Sequence, residues 1–133
     1  MKRNLLEIYA LAVCFFTVAC FVIVLGIAVW DGVSVLAPEF TLSNHNWERH
    51  QTDEAFRKSL SNENRYREDK DSYKPPEGAA LTDARIQSYD QALRAERRSG
   101  FQGLARNAII LLLNIALFAI HWKLAARARK NAS

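Results

Sequence analysis

Residues 8–30 read IYALAVCFFTVACFVIVLGIAVW, and residues 108–122 read AIILLLNIALFAIHW. The first run is 23 residues without a formal charge. At 1.5 Å per residue it covers a hydrocarbon core of about 30 Å. The second run has only 15 residues, so flanking turns must complete a crossing. Between them lie some seventy residues dense in charge. The expectation is an all-α integral membrane protein, a two-span helical hairpin with a helical extracytoplasmic loop or stalk.

Composition almost hides this arrangement. Charged residues make up 24% of the 133 and the formal charge is +4, as in many soluble domains. The polarity is segregated into blocks. Residues 31–103 carry 11 basic and 13 acidic side chains, a net charge of −2. The excess of positive charge sits at the ends, at Lys2 and Arg3 and at Lys123, Arg127, Arg129 and Lys130. Basic residues that flank spans stay on the cytoplasmic side. Both termini are therefore expected inside, in a bacterial cytoplasmic (inner) membrane, with the loop outside. That placement argues against a nucleic-acid partner; the expected partners are the lipid bilayer and a membrane protein or a second copy.

A cleaved signal peptide competes for the first segment, given its basic start and the small residues Val35 and Ala37. Its apolar run exceeds the usual 7–15 residues, and Pro38 would follow the cut directly, so an uncleaved anchor is expected. Cys14 and Cys20 lie within that run and read as small apolar residues.

Three segments follow: residues 1–37 as the first span with a short cytoplasmic N-terminus, 38–100 as a charged extracytoplasmic module, and 101–133 as the second span with a basic tail. Pro38 should end the first helix. Residues 38–51 show little periodicity. A helix near 52–70 starts at Thr52, which can cap it, and brings Phe56 and Leu60 to one face. Pro75 and Pro76 interrupt the chain. Thr82 then starts a helix over 82–100, with Ile86, Tyr89 and Leu93 as an apolar seam. Since Gly100 and Gly103 cost a helix only about 1 kcal/mol each, one long helix to about Arg129, or two nearly collinear ones, is expected.

Asn107, Asn114 and His121 recur every seven residues and so lie close to one helix face. Gly100, Leu93 and Ile86 extend that register outward, flanked by a line through Gly103, Ile110, Leu117 and Leu124. In the first span Ala12, Ala19 and Gly26 share the period. Small residues permit close backbone approach in lipid. Antiparallel spans with level midpoints would set Ala12 at the depth of His121, Ala19 at that of Asn114 and Gly26 at that of Asn107. The stripes are expected to pack, within the chain or between copies; a polar path would call for a deep acidic residue, and the acids nearest, Glu7 and Asp31, lie near the ends. Arg106 is a candidate ion-pair partner for Asp31 or for lipid phosphate.

In the loop, His45, His50, Asp53 and Glu54 are the nearest approach to a metal cluster, but their spacing falls short of a closed ligand set. No metal, cofactor or catalytic motif is expected; GxSxG, HExxH and glycine-rich phosphate loops are all missing from the sequence. Trp30, Trp47 and Trp122 suit a lipid or partner contact, as do Arg94, Arg97 and Arg98 above the second span. The expectation is a small non-enzymatic interaction protein, either an accessory subunit of a membrane complex or a self-associating scaffold. Two alternatives stand beside it: an oligomeric pore lined by Asn107, Asn114 and His121, and an extracytoplasmic ligand sensor.

Overall fold

A computed structural model describes residues 5–64 and 74–130, and all its regular structure is helical. The helices are α1 (Leu5–Leu36), α2 (Pro38–Thr41), α3 (Asn44–Arg49), α4 (Asp53–Asn64) and α5 (Ala79–Lys130). Two of them, α1 with 32 residues and α5 with 52, are long and apolar enough to cross a membrane. The chain divides into two compact units: residues 1–32 with 101–133, and residues 33–100.

In the first unit, α1 meets the C-terminal half of α5 through pairs whose numbers rise along one helix as they fall along the other. Glu7 meets Arg129, Tyr9 meets His121, Cys14 meets Phe118, Cys20 meets Asn114, and Asp31 meets Asn107. The covered face of α1 follows two interleaved seven-residue repeats. Glu7, Cys14, Phe21 and Ala28 form one; Ala10, Thr17, Val24 and Asp31 form the other, and all eight are buried or half-buried. Such spacing keeps a narrow seam against a partner helix.

The Ala12, Ala19 and Gly26 stripe is not part of this seam. It lies about 170° around the helix at 100° per residue. All three residues are exposed, and a Cβ added at Gly26 would meet nothing within 4 Å. The matched depths were close at mid-span, where Asn114 faces Cys20 rather than Ala19, but the face was opposite. Polarity explains the choice. A charged or polar group turned away from its partners onto an apolar face is costly, whereas Ala or Gly is nearly indifferent to direction. The residues that select the face of α1 are thus Glu7, Thr17 and Asp31.

Close approach still uses small residues, but other ones. Ala10, Ala125 and Ala128 are buried where the helices meet near Glu7. At the opposite end Gly103 makes room for the Asp31 carboxylate, which fills the space a Cβ would take. On α5 the flanking line also differs from expectation: Leu117 is exposed and Phe118 is the half-buried residue. A seven-residue step falls about 20° short of two full turns, so a straight helix must advance its contact line by a residue.

In the second unit, residues 38–51 form α2 and α3 where little periodicity was legible. Pro38 opens α2 and is fully buried, its fixed φ suited to a first helical turn. Ser43 caps α3 by accepting from the Asn46 amide at 3.4 Å. Thr52 caps α4, accepting from Ala55 N–H at 3.1 Å. Phe56 is buried and Leu60 half-buried on that helix. Residues 65–70, assigned to the same helix from sequence, lie outside the described residues.

Helix α5 begins at Ala79, not Thr82. Gly78 adopts a left-handed φ of 58° and its carbonyl accepts from the Leu81 and Thr82 amides. Thr82 is thereby released from capping, and its hydroxyl serves elsewhere. The helix runs through Gly100 and Gly103 without interruption. Ile86, expected in the apolar seam, is 49% exposed; Leu81, Tyr89 and Leu93 are buried or half-buried instead.

Gly103→Ala should displace the Asp31 carboxylate and destabilise the chain by about 1–3 kcal/mol, the usual cost of overpacking. Gly26→Ala should be neutral or stabilising by up to about 1 kcal/mol, since it relieves a helix-interior glycine in open space. Unfolding of both variants in mild detergent measures this; the opposite order would mean that the seam lies on the Gly26 face.

Candidate functional site

Polar side chains gather in two places, one in each unit. In the first unit they form a line between α1 and α5. At one end Arg129 Nε donates to Glu7 Oε1 at 3.3 Å, with the Glu7 side chain buried and that of Arg129 exposed. The middle holds Asn114, whose Nδ2 donates to Ile110 O at 3.1 Å and reaches Cys20 Sγ at 3.5 Å. Thr17 returns its hydroxyl proton to the Cys14 carbonyl at 2.8 Å. At the far end Asn107 Nδ2 donates to Asp31 Oδ2 at 2.7 Å.

The stripe of Asn107, Asn114 and His121 thus does face α1, although it does not meet Ala12, Ala19 and Gly26. Asn107 is 3% and Asn114 7% exposed, while His121 is half-buried, ring-packed against Tyr9 and bonded through Nδ1 to Leu117 O at 2.8 Å. Of the two candidate partners for Arg106, Asp31 is not paired with it. Asp31 takes the Asn107 amide, and Arg106 lies exposed on another face of α5. A neutral amide one residue further along points into the seam, where the longer guanidinium would need a wider gap.

The second cluster centres on His50, which is buried at the C-terminal end of α3. Its Nδ1 contacts Asn46 O at 2.5 Å, and its Nε2 contacts Ser88 Oγ at 3.0 Å. The carbonyl at Nδ1 can only accept, so Nδ1 carries the proton and Nε2 accepts from the serine hydroxyl. Phe56 and Tyr89 flank the ring, each with its centroid 5.6 Å away, and Trp47 packs on Tyr89 at 6.4 Å.

Arg85 ties this group to Asp53. Its Nε donates to Asp53 Oδ1 and its Nη1 to the His50 carbonyl, both at 2.7 Å. Thr82 Oγ1 donates to Asp53 Oδ2 at 2.6 Å. These bonds hold the Asp53 carboxyl below its ordinary pKa, chiefly through Thr82 and then Arg85. Burial pushes the His50 pKa down, and the charges of Arg49 and Arg85 act in the same direction.

His50 and Asp53 were singled out from sequence as possible metal ligands, yet both are committed to protein partners. Among the described residues no group of three or more His, Cys, Asp or Glu side chains is gathered for a metal ion. Arg85 and Ser88 were missed. Their signal was their position: Thr82, Arg85, Ser88 and Tyr89 lie three, three and one apart, which places them along one side of a helix.

Trp47 is partly exposed while holding Tyr89, and Arg94, Arg97 and Arg98 are all exposed. Trp30 and Trp122 are also exposed, the latter stacking on Phe118 with centroids 5.8 Å apart. No family model, no curated protein and no solved structure matches this chain.

The sign of the His50 shift sets a pH dependence. A histidine whose folded pKa lies below its unfolded value of about 6.5 takes up a proton more readily on unfolding. Stability of the second unit should therefore fall as pH drops below about 6.5, until the folded form is itself protonated. The Asp53 contribution is present above its unfolded value of about 3.9 and is lost only in stronger acid. Melting followed by tryptophan fluorescence from pH 8 to 4 measures this. His50→Gln should flatten the upper part of the profile, and an unchanged slope would exclude His50 as its source.

Arg85→Lys retains the charge but cannot bond Asp53 and the His50 carbonyl together from one planar group. It should lower stability, because the partly exposed Asp53 carboxylate and the His50 carbonyl lose the planar group that bonds both at once. Denaturant unfolding of the substituted chain tests this.

Proposed function

We propose that the chain is a two-span membrane hairpin with both termini on the cytoplasmic side, acting as an interaction subunit that assembles with a membrane protein or with further copies of itself. The observation carrying this reading is the division of the two helices into an inner and an outer face. Polar groups of the first unit are spent on one another along the seam. The outward faces are apolar, with Phe15, Phe16, Ile23, Ile109, Leu112 and Leu113 all at least 60% exposed. Water would not tolerate so large an uncovered surface, whereas lipid or partner helices would cover it.

Topology rests on the basic residues at both ends. An interaction role rests on Ala12, Ala19 and Gly26, which the fold leaves uncovered. A stripe of small residues on a lipid-facing surface permits close approach by another helix. The pore reading receives less support, because the amides of Asn107 and Asn114 already bond within the chain. A bacterial inner membrane remains the proposed location.

Two measurements test the proposal. With Cys14 and Cys20 replaced by Ala, single cysteines at Lys2, Asn62 and Ser133 are exposed to a membrane-impermeant maleimide in intact cells. Label at position 62 alone is expected; label at position 62 and at a terminus together would reject the hairpin topology. For association, the triple change of Ala12, Ala19 and Gly26 to Ile should reduce the native particle to a monomer while the monomer's unfolding is preserved. An assembly unaffected by all three changes would reject the outward stripe as the contact.

A further inference from the structure

Four arginines crowd the part of α5 that leads into its apolar run. Residues 94–106 hold Arg94, Arg97, Arg98 and Arg106 against a single acid, Glu96, a net charge of +3. Residues 31–93 carry 8 basic and 12 acidic side chains, a net charge of −4. The positive charge is thus collected at one boundary of an otherwise acidic segment. Arg94, Arg97 and Arg98 stand three and one residues apart on α5, so they share one face of the helix. All three are exposed. Elsewhere in the second unit arginines are spent on the protein, Arg49 on Glu63 and Arg85 on Asp53. Arg94, Arg97 and Arg98 enter neither pair.

Their depth along the helix decides what they face. About 20 residues span a hydrocarbon core of about 30 Å, and counting that many back from Lys123 puts the edge of the core near Gly103. At 1.5 Å per residue Arg98 and Arg97 then lie about 7–9 Å past that edge, and Arg94 about 13 Å. A headgroup layer is about 5–8 Å thick, and the flexible arginine stem lets the charged end reach into it. Phe101 follows Arg98 by three residues on the same face and is 61% exposed; Ile109 and Leu112, further along, are 61% and 67% exposed. Cation, aromatic ring and aliphatic chain thus succeed one another in the order a leaflet presents phosphate, interface and acyl chain.

We propose that Arg94, Arg97 and Arg98 form a docking surface for the headgroups of anionic phospholipids. The planar guanidinium can take two phosphate oxygens at once, which a lysine ammonium cannot. A zwitterionic headgroup offers the same phosphate but cancels its charge, so the cluster selects lipids with a net negative charge. An acidic protein is a poorer fit, because residues 31–93 are themselves acidic and would repel it. The inference rests on the proposed membrane crossing, but not on which side the termini occupy.

The test uses the full chain with Cys14 and Cys20 changed to Ala and a fluorophore attached through Ala105→Cys. Ala105 is exposed and lies seven residues past Arg98, close to the same face. The chain is placed in phosphatidylcholine nanodiscs containing a small fraction of phosphatidylglycerol or phosphatidylcholine with a nitroxide near the top of one acyl chain. Quenching by the nitroxide reads how often each lipid lies beside the helix. Phosphatidylglycerol is expected to be enriched there at least about threefold over phosphatidylcholine. Changing Arg94, Arg97 and Arg98 together to Gln, all at exposed positions, should at least halve that enrichment, with Arg106 supplying the remainder. Inorganic phosphate should weaken it no more than chloride does at equal ionic strength. Equal quenching by the two lipids, an enrichment unmoved by the triple change, or displacement by inorganic phosphate beyond the effect of chloride would overturn the proposal. Quenching by neither lipid would reject the membrane crossing itself, and this inference with it.

Discussion

A polar group that leaves water must find a partner, and this constraint organises the first unit from end to end. Two helices apolar over most of their surface meet along the line where their few polar residues lie. Asp31 accepts from Asn107 at 2.7 Å, Glu7 from Arg129 at 3.3 Å, and Asn114 bonds both its own helix and Cys20. Each such bond contributes on the order of 1 kcal/mol net, a modest sum. Its larger effect is on choice. Turning the same groups outward would leave them unsatisfied, so the bonds determine which face is inside even where they add little stability.

The same constraint works in the second unit, with different materials. There the short helices α2, α3 and α4 have too little apolar surface for a core of their own. Phe56, Leu81 and Leu42 are buried, but His50 is buried among them, and its ring is satisfied at both nitrogens. Arg85 bridges two elements by bonding a carboxylate on one and a main-chain carbonyl on another. Ionic and hydrogen-bonding groups thus replace the aliphatic packing that a longer module would use. Such a centre is sensitive to protonation because its members are charged and only partly shielded.

Much of the fold was legible. Charge-free length marks the two long helices, Pro38 their first boundary, and Thr52 the start of α4, each by a local property that needs no tertiary context. Less legible were α2 and α3, because helices of four and six residues carry too few turns to show a period. The start of α5 was misplaced because Thr82 resembles a cap, while Gly78 had already turned the chain. Of the candidate site, Asn107 and Asn114 were legible as inward-facing. Ala12, Ala19 and Gly26 lie away from the contact between α1 and α5, and Glu7, Cys14, Thr17 and Asp31 line it. Arg49, Arg85 and Ser88 were not singled out, since single polar residues in a charged loop look alike until a partner is opposite.

The sequence by itself determined the elements: two apolar helices, basic flanks, a charged middle, and a seven-residue rhythm of polar groups. These depend on local covalent and solvation properties, which are the same wherever the segment sits. Tertiary structure alone decided the pairings. Whether Asp31 meets Arg106 or Asn107, and whether Gly26 or Gly103 lies against the neighbouring helix, depends on rotations of a few tens of degrees about the helix axes. Those rotations follow from the sum of contacts along both helices, and no single segment contains that sum.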